Sequence, residues 1–263
     1  MFRPRRAFAL VALFISLSQA GCLEKSSEHR IRANAFLRGG DAQSAVGECD
    51  LGLAIKKDDV ALLILKGKAL FELSKLDEAK ASYEKAIDAG QNEDKRGLIE
   101  AHMGLAMIAS RAGDWKVARN HFEKIVEADE GKNAQSQLNL ARACVSLKDM
   151  ECALKHGELA GRMANTDEAT LFTLGTVFLS AEKPAEAEKT FERICEVVPG
   201  AASCPYGIAM VAAHKGDKPR ALAKLKEAID RKVPEPARIV NEPWFSKIKD
   251  DPEFLALVAA AQK

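Results

Sequence analysis

The chain has 263 residues, 47% of them apolar and 29% charged, with 39 Lys and Arg against 38 Asp and Glu. That apolar share excludes a wholly disordered chain, and a formal charge of +1 supplies no electrostatic footprint for nucleic acid. Aromatic residues make up only 6%, and the abundance of Ala, Leu, Glu and Lys favours helices.

The first predicted element is an address. Arg3, Arg5 and Arg6 precede an apolar run from Ala7 to Ser18, the charged and hydrophobic regions of a secretory signal. The run is too short to span a bilayer as a helix, which needs about 20 residues. It closes on Ser18-Gln19-Ala20-Gly21-Cys22. Small residues at Ala20 and Gly21 directly before Cys22 resemble the lipobox of bacterial lipoproteins, with Gln19 where that family usually carries Leu. The resemblance implies removal of residues 1–21, acylation of Cys22 and attachment to a membrane through the lipid. Leu23, rather than Asp, after the Cys implies the outer membrane, facing the periplasm. The alternative is an ordinary signal cleaved nearby, with Cys22 a free thiol. The first 21 residues carry three Arg and no acid, so their removal leaves 36 basic against 38 acidic residues, close to neutral.

A repeat organises the chain beyond Cys22. One phrase recurs as Ala79-x₃-Tyr83-x₂-Ala86, Ala118-x₃-Phe122-x₂-Ile125, Ala187-x₃-Phe191-x₂-Ile194 and Ala221-x₃-Leu225-x₂-Ala228. Weaker copies start at Ala45 and Ala153, and the leading alanines are spaced by 34, 39, 35, 34 and 34 residues. Upstream of each copy lies a second helical stretch with its own small residue, such as Gly67 or Gly175. The pattern resembles the tetratricopeptide repeat (TPR), with Leu171, Leu174, Gly175, Phe178, Ala187, Phe191 and Pro199 in register in the best copy. The resemblance implies an all-α, right-handed TPR superhelix of about six helix-turn-helix repeats with a C-terminal capping segment. Residues 22–234 would hold the lipidated N-terminus and the repeats, and residues 235–263 the capping helices. No single helix pair buries its apolar face, so pairs must stack. Pro184 and Pro219 open second helices, where a missing N–H costs nothing. Asp251-Pro252-Glu253 opens a last helix over the exposed face of the final repeat.

Export would place the cysteines in an oxidising space. Cys144 and Cys152 flank the turn within the fourth repeat, and Cys195 and Cys204 flank the turn between the fifth and sixth. Antiparallel helices bring both pairs within bridging distance, so the pairs are predicted as disulfides, the alternative being buried thiols. Cys49 takes a bulky core position and reads as a buried free thiol. No Cys-x₂-Cys or His-x₃-His spacing suggests zinc, and no metal or cofactor is expected. His121 and His156 occupy equivalent positions in successive repeats, too far apart to share a metal. No nucleophile elbow, phosphate loop or dinucleotide fingerprint is present, so neither catalysis nor a small-molecule substrate is expected.

In TPR proteins the second, fifth, ninth and twelfth positions of the first helix line the concave side. That register selects Leu37, Ile64, Phe71, Met103, Met107, Leu138, Val145, Phe172, Leu179, Tyr206 and Met210. These apolar residues form either a groove for an amphipathic helix or apolar peptide or, if the register is shifted, core. The carboxylate clamp of chaperone-binding TPR proteins is half matched by Arg30 and Asn34, then broken by Leu65, Glu100 and Gly104. A six-repeat TPR lipoprotein of this length resembles the pilotins of type IV pilus systems. That resemblance implies a non-enzymatic assembly factor whose protein partner is an outer-membrane secretin. The alternative is a structural adaptor in another envelope machine, such as a gliding motor, a secretion system or the cell-wall machinery.

Overall fold

The computed structural model describes residues 25–90, 95–163 and 167–261, and the described chain is helical throughout, without strands. The signal-like segment and Cys22 lie outside the described residues, as do residues 91–94 of the long polar connection after α4. Helix α1 (25–38) pairs with α2 (Ala42–Ile55), α3 (Val60–Glu72) with α4 (Leu76–Ala89), and α5 (Lys95–Arg111) with α6 (Trp115–Ala128). Then α7 (Ala134–Ser146) pairs with α8 (Met150–Met163), α9 (Glu168–Ser180) with α10 (Pro184–Val197), and α11 (Ser203–Lys215) with α12 (Lys218–Asp230). Two 3₁₀ turns, Pro236–Asn241 and Pro243–Phe245, lead to α13 (Pro252–Ala260). The chain divides into two compact units, one ending at Asp129 and the other starting at Glu130, where the repeat pattern alone suggests a single array.

Each turn inside a pair uses the same device. One residue adopts positive φ five residues ahead of the repeat alanine: Gly40, Ser74, Gly113, Lys148, Glu182 and Gly216. Glycine takes that conformation freely, whereas other L-residues do so at a cost. The next residue along opens the second helix. Asp41, Asp114, Asp149 and Asp217 accept from the backbone N–H three residues on. Lys75 and Lys183 occupy the same place and provide no side-chain cap. First helices are capped by Asp59, Asn133 and Asp167. These caps satisfy N–H groups that a helix leaves open at its start.

In the first unit the repeat alanines Ala45, Ala79 and Ala118 are fully buried, and so are Ala33, Cys49, Leu62, Ala86 and Ala101. Cys49 is a free, buried thiol, its pKa pushed up to about 12 by burial and by Asp50 beside it. Ser26 donates to Asp59 at 3.2 Å, tying the start of α1 to the cap of α3.

In the second unit one continuous core runs from Leu138 to Val258 and holds Phe191, Phe245 and Phe254, all 0% exposed. The end segment belongs to it. Phe245 lies 6.0 Å from Tyr206 and 5.4 Å from Phe254, centroid to centroid, and Lys218 of α12 pairs with Asp251, the cap of α13. Cys144 and Cys152 are bonded across the α7–α8 turn with Cα atoms 5.8 Å apart, and Cys195 and Cys204 across the α10–α11 turn at 5.5 Å.

Candidate functional site

The first unit carries an apolar trough built by three first helices. α1 contributes Asn34, Leu37 and Arg38; α3 contributes Leu65, Lys68, Phe71 and Glu72; α5 contributes Ile99, Glu100, Met103, Gly104 and Met107. The cavity measures about 670 Å³, and Tyr83 of α4 reaches its floor. A more polar cavity of about 460 Å³ adjoins it, and Asn34, Arg38, Leu65, Lys68 and Glu100 line both. Arg30, Ile31, Ala61, Ile64, Arg96 and Gly97 complete that second wall. Met107 is 47% exposed, a large apolar side chain left open to water.

Charge edges the trough. Lys68 and Arg96 donate to the two oxygens of Glu100 at 2.7 and 3.1 Å. Burial works against the charged carboxylate, but these two cations outweigh it and hold Glu100 below its usual range. The Arg111 guanidinium lies 5.8 Å from the Phe71 ring centroid, within cation–π range. The five clamp positions, Arg30, Asn34, Leu65, Glu100 and Gly104, all stand on these two cavity walls, with Leu65, Glu100 and Gly104 departing from the clamp.

The second unit has its own cavity of about 500 Å³, lined by Phe172, Tyr206, Val233 and Ile239 with Glu168, Glu235, Arg238 and Glu242. The Phe172 and Tyr206 rings lie nearly parallel, 6.1 Å apart and 9° between planes. Burial, and then Glu242, push the Tyr206 hydroxyl above its ordinary range.

The groove selected from sequence therefore divides. Leu37, Phe71, Met103 and Met107 line the open trough, and Phe172 and Tyr206 line the second cavity. Val145 is half-buried. Ile64, Leu138, Leu179 and Met210 are core instead, at 4%, 1%, 0% and 2% exposure. The physical reason is tertiary: Leu138, Leu179 and Met210 join the continuous core that the end segment seals with Ile239, Phe245 and Ile248. Ile64 packs with Leu63, Leu70 and Ala79, only its edge reaching the polar cavity.

A set of half-buried polar pairs is not apparent from sequence pattern alone. His29 meets Glu48 at 2.7 Å, His102 meets His121 at 3.0 Å, and His156 meets Gln137 at 2.6 Å. All three join the first helix of a pair to the second across 19 residues, a spacing visible in the sequence once helix pairing is known. Among the described residues, no group of three or more His, Cys, Asp or Glu is placed to hold a metal ion, and no helix is long and apolar enough to cross a membrane.

Two family models, each for the tetratricopeptide repeat, match residues 58–131 and residues 103–168 with 172–235. The chain belongs to the tetratricopeptide-repeat family. Solved TPR proteins share its backbone at low identity. PilF of Pseudomonas aeruginosa superposes with a TM-score of 0.66 at 12% identity, over 87% of this chain and 98% of PilF. MamA from residue 41 onward, of Desulfovibrio magneticus RS-1, gives 0.57 at 18%, over 66% of this chain and 94% of MamA. YrrB, described as a TPR protein with an unusual peptide-binding site, gives 0.55 at 24%, over 70% and 92%. No curated protein matches the sequence.

Proposed function

We propose that this TPR protein is a non-enzymatic scaffold whose first-unit trough holds an apolar segment of a protein partner, and that it acts as a pilotin-like assembly factor for an outer-membrane secretin. The trough carries the reading: it leaves Phe71, Met103 and Met107 on an open concave wall beside glycine-lined close packing. Apolar walls with a few polar groups are the usual form of a helix- or peptide-binding groove, and methionine adapts its shape to what it meets. TPR proteins bind peptide partners through such grooves. Three further features support the envelope role: six helix pairs among the described residues, a lipobox-like Ala20-Gly21-Cys22 after a signal-like run, and a backbone compatible with PilF over nearly the whole of that protein.

The test is affinity capture from envelopes, followed by deletion of the gene and examination of whatever multimer is captured. Loss of secretin multimers on deletion is the expected result. Intact secretin multimers, with another envelope complex captured, would move the protein to the adaptor class. Replacing Cys22 should release the protein from membranes, and a variant that stays membrane-bound overturns the lipid anchor.

A further inference from the structure

We infer that the occupant of the first-unit trough is an amphipathic helix with acidic flanks, its carboxylates lying against Arg30 and Arg38. This rests on the reading of the trough as a partner site and specifies the partner's chemistry.

Three arginines of α1 differ in what they meet. Arg32 points away from the trough and is engaged there, 3.5 Å from Glu28 and 4.0 Å from Glu48. Arg30 and Arg38 are exposed on the trough wall and make no ion pair with a carboxylate among the described residues. They stand eight residues apart with Asn34 between them, on one face of α1, which spaces them by about 12 Å along the helix axis. Across the trough, Arg111 adds a third cation over Phe71. Of the two carboxylates on the walls, Glu100 already serves Lys68 and Arg96, leaving Glu72 alone opposite three cations.

The floor between these cations is apolar: Leu37, Leu65, Phe71, Met103 and Met107. A helix lying alongside α1 rises at the same 1.5 Å per residue, so carboxylates at i and i+8 meet both arginines while i+3, i+7 and i+10 face the floor. A basic helix would set its cations against Arg30, Arg38 and Arg111 and is selected against. The chemistry differs from the terminal-carboxylate clamp, whose second-repeat Asn position is here Leu65 and whose third-repeat basic positions are Glu100 and Gly104.

The experiment uses the full chain and two synthetic helical peptides of about five turns with the same Leu/Phe face. One carries Glu at i and i+8, the other Lys at those positions, and binding is read by fluorescence anisotropy at low and high salt. The Glu peptide should bind about tenfold tighter at low salt, with the preference shrinking as salt rises. Arg30→Glu with Arg38→Glu should abolish or invert the preference, and Arg30→Gln with Arg38→Gln should reduce it, with the circular dichroism of each variant unchanged. Phe71→Ala should weaken both peptides alike. Equal affinity for the two peptides, or a preference that survives charge reversal, overturns the inference. If charge has no effect but Phe71→Ala still weakens binding, the trough reading stands and only the acidic partner falls. If a folded Phe71→Ala binds both peptides as the parent does, the trough reading falls as well.

Discussion

The Tyr83 ring fills the space that a side chain on Gly104 would need: a Cβ there would lie 2.3 Å from the ring's Cζ. Gly67 stands on the other side of the same ring, where a Cβ would lie 2.7 Å from Cε1. The bulky residue of α4 is thus clamped between the first helix of its own pair and the first helix of the next. Phe191 repeats the arrangement between Gly175 and Gly207 in the second unit, at 2.4 and 2.3 Å. Two glycines per ring set how closely successive pairs approach, and Tyr83 also forms part of the trough floor.

Gly104→Ala should therefore destabilise the first unit by about 1–3 kcal/mol, the usual cost of overpacking, because Gly67 on the far side stops the ring from backing away. Gly47→Ala is the control. It lies in α2 with nothing within 4 Å of its added Cβ, and it should stabilise by about 0.5–1 kcal/mol through helix propensity alone. Urea denaturation of the two variants beside the parent checks both signs. A neutral Gly104→Ala would mean that the ring shifts freely.

Turn geometry gives a second prediction. Ser74, Lys148 and Glu182 hold φ of 59°, 59° and 55° where Gly40, Gly113 and Gly216 serve the equivalent turns. Replacing any of the three with glycine should stabilise by about 1 kcal/mol, since the left-handed conformation penalises a Cβ by more than glycine loses in chain entropy. Gly40→Ala should lose a similar amount. Thermal midpoints of the four variants test the set, and unchanged midpoints in all three glycine variants would refute it.

The repeat was legible because its signal is periodic and redundant: the alanine spacing of 34, 39, 35, 34 and 34 is the same spacing that separates the six left-handed turn residues. The cap at Asp251 was legible because Asp followed by Pro fits few other local conformations. The groove was only half legible. Met107 and Met210 hold the same position in their repeats, yet one is 47% exposed and the other 2%, because Met210 shares its core with Ile239, Phe245 and Ile248 of the end segment. Periodicity reports which face of a helix a residue takes and says nothing of what a distant segment lays over it. The His102–His121 contact is hidden for a related reason: the repeat aligns His121 with its counterpart one repeat on, whereas its neighbour lies on the other helix of its own pair.

That histidine pair makes stability depend on pH. Burial lowers the proton affinity of both rings; Lys124 lowers His102 further, and Lys80 lowers His121 against the opposing pull of Glu84. Each ring also disfavours a second charge beside it, the Nδ1 atoms being 3.0 Å apart. The folded affinities lie below the unfolded value of 6.5, so the unfolded chain takes up protons first. The pair's contribution is full above about pH 6.5 and is lost as pH falls from there towards the folded values. Urea midpoints between pH 7.5 and 5 should show this loss, and His102→Gln should flatten it. A parent and variant with identical pH profiles would rule out the histidines as its source.

The division of the groove makes the last prediction the sharpest. Leu179 is 0% exposed within the continuous core, whereas Phe71 is half-buried on the trough wall with Arg111 above it. Leu179→Ala removes atoms from a close-packed interior and should destabilise the second unit by about 2–5 kcal/mol, with partner binding by the first unit little changed in whatever remains folded. Phe71→Ala removes a ring that is only half-buried, so it should lower stability by less than that. If the trough is the partner site, the same change should weaken partner capture by more than about 1 kcal/mol, as truncation of an anchor does. Urea denaturation and peptide binding on both variants separate the two roles. Should Phe71→Ala unfold the first unit as readily as Leu179→Ala unfolds the second, Phe71 is a core residue, and the partner surface must then be sought at the Phe172–Tyr206 cavity.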